Sequence, residues 1–325
     1  MLQFISNLLS AKRRRRRGIA AISPDMIDRN AREVVKTLQK AGFEAYVVGG
    51  CVRDLLLGLK PKDFDVATDA TPEQVNQLFR NSRLIGRRFK LVHVVFGRDV
   101  IEVATFRGHH HKVNTSKHIS SQSDEGMLLR DNVYGTIDED AERRDFTINS
   151  MYYNIADYSI HDYARGIEDL EDRLIRRIGD PETRYREDPV RMLRAIRFST
   201  KLRMTIAERT EQPIFELSHL LKNIPAARLF DESLKLMMAG KASDNYDSLR
   251  HYSLFKFIFP EVHKVLSNNP EDKEERLLAA MFRNTDTRIN GDKTVSPAFI
   301  YAALLWYPIE AYSSELQFES DLQEE

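Results

Sequence analysis

Three short segments carry the residues that could do chemistry. Gly49-Gly50-Cys51-Val52-Arg53-Asp54 follows the apolar run Tyr46-Val47-Val48, Asp63-Phe64-Asp65 comes next, and Arg143-Arg144-Asp145-Phe146-Thr147-Ile148-Asn149 lies further along. The first reads as a strand, a glycine pair and the N-terminus of a helix over 52–57. Glycine lets the backbone come close to an anion, and the free amides and dipole of a helix start favour negative charge. Arg53 can add a guanidinium to the same phosphate oxygens. The plainer alternative is a tight turn beside a surface arginine.

Asp63 and Asp65 are two apart on an expected strand through Phe64–Ala67, so both carboxylates point to one side. Paired carboxylates repel unless a cation sits between them, and hard oxygen donors suit magnesium. The alternative is a pair of solvated loop aspartates. Glu102 sits in the apolar strand pattern Val100–Phe106, where an acid is costly unless paired or metal-bound. It reads as a third carboxylate of the site, or as an edge-strand acid facing solvent. Arg143 and Arg144 precede the apolar Phe146, Ile148 and Met151 in a stretch, 138–155, of helical character. They can hold triphosphate oxygens, and Asp145 can fix a ribose hydroxyl or an arginine. The alternative is a charged helix face whose ion pairs are worth little.

The elements that must position these residues follow from periodicity. Ile27, Val34, Val35 and Leu38 recur at helical spacing, strands are expected near 44–48, 63–67, 91–96 and 100–106, and Thr71-Pro72-Glu73-Gln74 is a capped helix start. Alternating helices and strands predict a small α/β head over residues 25–180, and short strands at Ile160–Tyr163 and Leu174–Ile178 close it. Residues 107–137 are polar and read as a mobile loop; His109, His110 and His111 within it lack partner ligands for a metal. From residue 182 the pattern is helical almost throughout, giving an all-α neck (181–250) and body (251–325). Met192, Leu193, Ile196 and Phe198 mark one helix, Leu229, Leu234, Leu236 and Met237 another, and Ala298–Trp306 the last.

The 325 residues hold 49 Lys+Arg and 49 Asp+Glu, but residues 1–250 carry 42 of those cations and 36 of the acids, and residues 251–325 carry 7 and 13. Lys12 and the run Arg13, Arg14, Arg15, Arg16 and Arg17 make residues 1–24 a flexible basic arm suited to nucleic acid, or a solubilising tail. No apolar run reaches the ~20 residues of a membrane span. Met1–Ser10 precedes its charges, the reverse of a secretory signal. The single cysteine, Cys51, excludes an internal disulfide and fits a reducing compartment; beside two glycines it reads as a small packed residue.

Taken together, Val48-Gly49-Gly50-Cys51-Val52-Arg53-Asp54-Leu55-Leu56-Leu57-Gly58, Asp63-Phe64-Asp65 and Arg143–Asn149 resemble the class II nucleotidyltransferases. That family holds the CCA-adding tRNA nucleotidyltransferases and the bacterial poly(A) polymerases. Glu187-Asp188-Pro189-Val190-Arg191 is similar to its base-selecting Glu-Asp-x-x-Arg motif; on a helix from Asp188, three- and four-residue steps set Asp188, Arg191 and Arg194 on one face. By spacing alone the same residues make an intrahelical salt bridge. Leu84-Ile85-Gly86-Arg87-Arg88-Phe89-Lys90-Leu91-Val92-His93-Val94 and the following Arg107-Gly108-His109-His110 resemble the poly(A) polymerase branch.

The resemblance implies template-independent addition of AMP from ATP to RNA 3′ ends with release of pyrophosphate. It implies Asp63 and Asp65 as metal-binding catalytic residues for two magnesium ions, with Glu102 and Asp145 beside them. Gly49, Gly50, Arg53, Arg143, Arg144, Asp188, Arg191 and Arg194 would bind the nucleotide, and Arg13 to Arg17 with Arg87 and Arg88 would contact RNA. A cytoplasmic monomer with no membrane partner is expected. A CCA-adding enzyme shares this chemistry, and a catalytically silent RNA-binding relative would be free to lose the aspartates. Family members continue past the acidic Glu315–Glu325 tail, so a short form, a frameshifted product or a fragment are all open.

Overall fold

The computed structural model describes residues 20–86, 89–109, 120–122, 128–268 and 273–324. The chain divides into two compact units, one ending at Pro181 and one beginning at Glu182.

The first unit is built on a mixed sheet. Its strands are β1 (Ala45–Val48), β2 (Asp65–Thr68), β3 (Ser82–Ile85), β4 (Leu91–Phe96) and β5 (Asp99–Thr105), and later β8 (Met151–Tyr153) and β9 (Ile160–Asp162). They run in the order β3-β4-β5-β2-β1-β8-β9, and only β2 and β5 pair in parallel. Helix α1 (Arg29–Lys40) buries Ala31, Val34, Val35 and Leu38, the stripe its spacing predicts, and the Asp28 carboxylate caps it by accepting from the N–H groups of Asn30 and Ala31. Helix α2 (Gly50–Leu56) follows the glycine turn. Helix α3 (Pro72–Leu78) starts on a reciprocal cap: Gln74 N–H donates to Thr71 Oγ1, and Thr71 N–H donates to Gln74 Oε1.

The structure adds to or departs from the sequence reading at three places. The helical stretch expected over 138–155 stops early: α4 (Ile137–Arg143) ends, Arg144 is extended at φ −66° and ψ 169°, and a 3-10 turn (Thr147–Asn149) leads into β8. Met151–Tyr153 pairs with β1 on one side and β9 on the other, so ladder bonds and full burial override its helical spacing. The expected loop over 107–137 contains, in its described part, the antiparallel hairpin β6 (Ser120–Gln122) and β7 (Leu128–Asp131). Strand β3 was not expected, because it is an edge strand open to solvent and lacks a buried face to set an alternation.

The second unit is almost wholly helical. Helix α5 (Gly166–Asp172) closes the first unit, and the second follows with α6 (Pro181–Glu187), α7 (Val190–Leu202), α8 (Glu208–Leu217), α9 (Ala226–Met237), α10 (Ala242–His251), α11 (Phe255–Ile258), α12 (Pro260–Asn268), α13 (Lys273–Asn290) and α14 (Pro297–Glu324). Met192, Leu193, Ile196 and Phe198 of α7 are buried. Leu236 and Met237 of α9 are buried, while Leu229 and Leu234 are half-buried. Helix α14 runs well past the expected Ala298–Trp306. It buries Ile300 and Leu304 and leaves Trp306, Ile309 and Tyr312 exposed. Among the described residues no helix is long and apolar enough to cross a membrane.

Candidate active site

Sheet register decides which chemistry-bearing residues meet. Asp65 opens β2, opposite Val48 of β1 on one side and Glu102 of β5 on the other, and Glu102 lies opposite His93 of β4. Residues opposite one another share a sheet face, so His93, Glu102 and Asp65 form one row. That row ends where Val48 turns into Gly49. Gly49 has φ 81° and ψ −129°, a backbone state open essentially to glycine alone. A Cβ there would stand 3.5 Å from Arg144 Nη1.

The shared strand face predicted for Asp63 and Asp65 is corrected by the structure. Strand β2 begins at Asp65, and Asp63 is exposed in the preceding connection. The two carboxylates are still close enough to act on each other. The Asp65 carboxyl is pushed up to about 6, first by desolvation, then by the Glu102 charge, with Asp63 adding and Arg144 opposing. Asp65 is nonetheless exposed to water at the start of its strand. The dehydration share is therefore smaller than full burial would give, and the crowding of carboxylates sustains the direction of the shift.

The arginines divide into inward and outward groups. Arg53 is buried; its Nη1 donates to Asn149 Oδ1 at 2.5 Å and its Nε to Asp54 Oδ1 at 2.8 Å. Asn149 Nδ2 in turn donates to Asp145 Oδ1 at 3.2 Å. Arg53 thus ties the glycine turn to the third segment through Asn149 and Asp145. Arg143 is also buried, with Nη1 donating to Gly108 O. Arg53 and Arg144 both flank the glycine turn: a Cβ on Gly50 would stand 3.4 Å from Arg53 Nη2, and one on Gly49 3.5 Å from Arg144 Nη1. Arg144 Nε donates to Asp140 Oδ2 at 3.0 Å and Tyr152 OH at 2.9 Å. Burial opposes its charge, but Tyr152 and Asp140 more than compensate and raise its pKa; the same contacts hold the Asp140 carboxyl below the usual carboxylate range despite its desolvation. Asp145 also accepts from Phe146 N–H at 2.8 Å, which braces the turn after α4. Cys51 is buried, its thiol donates to Val48 O, and burial pushes it up to about 12, which makes it inert.

In the second unit the expected helix from Asp188 begins at Val190 instead, and Asp188 sits just before it. Asp188 is buried and takes an ion pair from Arg228 of α9, with Nη2 to Oδ2 at 2.9 Å. Arg191 Nη1 lies 3.3 Å from Glu187 Oε2. Arg194 packs its guanidinium over the Phe198 ring at 5.3 Å. The Asp188 side chain therefore pairs with Arg228 and that of Arg191 with Glu187, while Arg191 N–H donates to Asp188 O at 3.0 Å. Arg228 had no signal in the sequence, because its partner is forty residues away. Arg13, Arg14, Arg15, Arg16, Arg17, Arg87 and Arg88 lie outside the described residues.

A family model for the poly A polymerase head domain matches residues 45–176, and one for a probable RNA and SrmB-binding site of polymerase A matches residues 203–266. Poly(A) polymerase I of Salmonella typhimurium is 55% identical over 93% of the chain and 65% of its own length. Poly(A) polymerase I of Haemophilus influenzae is 54% identical over 93% of the chain and 67% of its length. The chain belongs to the class II nucleotidyltransferase family. A crystal structure of the Bacillus stearothermophilus CCA-adding enzyme in complex with CTP superimposes with a TM-score of 0.64 at 28% identity, covering 92% of this chain and 71% of that one. The α/β head and helical body are thus those of the family. The chain spans 65% of the length of the Salmonella relative, about two thirds of it.

The donor chemistry of the row fits a hard divalent cation: Asp65 and Glu102 side by side in register, Asp63 close by, and the Asp65 carboxyl raised first by desolvation and then by the Glu102 charge. Among the described residues no three His, Cys, Asp or Glu side chains are gathered tightly enough to hold a metal as they stand.

Proposed function

We propose that this chain is a template-independent polynucleotide adenylyltransferase, adding AMP from ATP to RNA 3′ ends and releasing pyrophosphate in the bacterial cytoplasm. The observation that carries this reading is the register that lays Asp65 against Glu102 on one side and against the strand end leading into the Gly49-Gly50 turn on the other. The 54–55% identity to two proteins named Poly(A) polymerase I supports it.

The roles divide as follows. Asp63 and Asp65, with Glu102, would hold two magnesium ions. Such ions make a hydroxyl a better nucleophile and stabilise a leaving oxygen. The Cβ-free backbone at Gly49 and Gly50 and the flanking Arg53 and Arg144 guanidinium groups would take the triphosphate. Arg53, Asn149 and Asp145 keep that turn in place, and Arg143 holds the strand end at Gly108. Asp188, Arg191 and Arg194 select the base from the neck (181–250), with Arg228 fixing Asp188. RNA is held by Arg13 to Arg17 and by Arg87 and Arg88.

The superposition on a CCA-adding enzyme supports a second reading, addition of CCA to tRNA by the same chemistry. One experiment separates them. The protein is incubated with ATP and CTP together, on a tRNA lacking its CCA end and on an unstructured RNA. The adenylyltransferase reading expects adenosine tails on both. Two cytidines and one adenosine on the tRNA, with the other RNA untouched, would reject it. No incorporation on either RNA would leave a silent RNA binder.

A further inference from the structure

We propose that His93 is a positioning residue of the carboxylate row, holding Glu102 in the orientation from which it and Asp65 act on one cation. The inference rests on the nucleotidyl-transfer reading above. His93 Nε2 lies 3.6 Å from Glu102 Oε2, and the two residues are directly opposite in the β4–β5 ladder. Glu102 is in turn directly opposite Asp65 in β2. The imidazole therefore stands at the far end of the row that begins at the glycine turn.

Three features distinguish this from an ordinary surface ion pair. First, the flanking Val92 and Val94 are buried with no exposed surface, so β4 is locked and His93 cannot leave the site face without turning two valines into water. Second, both side chains retain access to the open side of the sheet, at 32% and 45% exposure, where a ligand would enter. Third, the Glu102 carboxylate has Asp65 as its other neighbour, and an imidazole 3.6 Å from Oε2, a polar contact just beyond hydrogen-bond distance, favours the oxygen on the β4 side over a position nearer a like charge. Partners that orient metal-binding carboxylates commonly govern metal affinity by about 10–100-fold.

The test uses the full chain as wild type, H93L, H93Q, E102Q, the H93L/E102Q double variant and D65A, each checked for folding by circular dichroism. Mn2+ binding is read by electron paramagnetic resonance, and AMP addition to an unstructured RNA is followed against Mg2+ concentration. H93L should weaken Mn2+ binding about tenfold or more and raise the half-activating Mg2+ by the same factor, with a smaller change in kcat. H93Q, which keeps an N–H donor, should recover to within about threefold of wild type and stands in if H93L misfolds. In the E102Q background, H93L should cost nothing more, because the ring acts through Glu102. Wild-type Mn2+ affinity in H93L, or an undiminished H93L penalty on E102Q, overturns the proposal while active wild type and inactive D65A leave the functional reading standing. A wild type that neither binds Mn2+ nor adds AMP overturns both.

Discussion

Replacing Asp65 with Asn should stabilise the protein while abolishing nucleotide addition. The Asp65 carboxyl rises from 3.8 to about 6 through desolvation, then Glu102, then the smaller push of Asp63, against the pull of Arg144. At about 1.4 kcal/mol per pKa unit, the charged form carries a penalty of at most about 3 kcal/mol. Asp65 is exposed to water, and exposed charges are strongly screened, so the realised gain from removing the charge is on the order of 1 kcal/mol. For a unit of this size that is about 2–4 °C in Tm. A carboxyl raised on folding binds its proton more tightly in the native state than in the unfolded chain, so wild-type stability falls as pH rises between about 4 and 6. The D65N advantage should therefore be small at pH 4.5 and full at pH 7.5. Thermal melts of both proteins across that range measure it. Added Mg2+ should then raise the wild-type Tm more than that of D65N, since a ligand of the native state stabilises it by mass action. A D65N protein no more stable than wild type at pH 7.5, or an advantage that shrinks with pH, would refute the crowding argument.

Four further outcomes are expected. Asn149→Leu removes the link between Arg53 and Asp145 and should cost about 1–3 kcal/mol in urea unfolding, with a higher KM for ATP as the glycine turn loosens. Gly49→Ala forces a Cβ into a glycine-only conformation, at φ 81° and 3.5 Å from Arg144, and should lower kcat/KM for ATP at least tenfold while leaving RNA affinity in a binding titration unchanged. Arg228→Ala takes the guanidinium away from buried Asp188 and should cost about 3 kcal/mol of stability and blur the ratio of ATP to CTP incorporation. Deleting residues 1–18 removes Arg13 to Arg17 and should flatten the dependence of RNA affinity on salt, read by fluorescence anisotropy, because fewer counterions are released on binding.

Much of the site was legible in one dimension because its pieces are local. A glycine pair after a β-branched run, two carboxylates at i and i+2, and a reciprocal cap at Thr71 and Gln74 each depend on residues within a few positions of one another. The helical second unit was legible for the same reason, since Met192, Leu193, Ile196 and Phe198 repeat at the period of the helix that buries them. Where long-range pairing competes with local pattern, the reading failed. Met151–Tyr153 sits in helical spacing and becomes a strand because β1 and β9 each offer it a ladder. Asp63 was read onto a strand that starts only at Asp65.

The chain's own order therefore determines the identity of the donors: which carboxylates, which arginines, which glycines, and the alternation that makes a sheet followed by helices. The tertiary structure alone decides how they are shared out. The parallel pairing of β2 with β5 sets Glu102 against Asp65, and the antiparallel pairing of β4 adds His93. Of three similar arginines, the fold sets Arg53 beside Gly50 and Arg144 beside Gly49, and turns Arg143 to the Gly108 carbonyl. The Asp188 side chain finds Arg228 forty residues on, and that of Arg191 finds Glu187. A sequence records neighbours along the chain, whereas charge, register and burial act between neighbours in space, and an ionisable group takes its function from the latter.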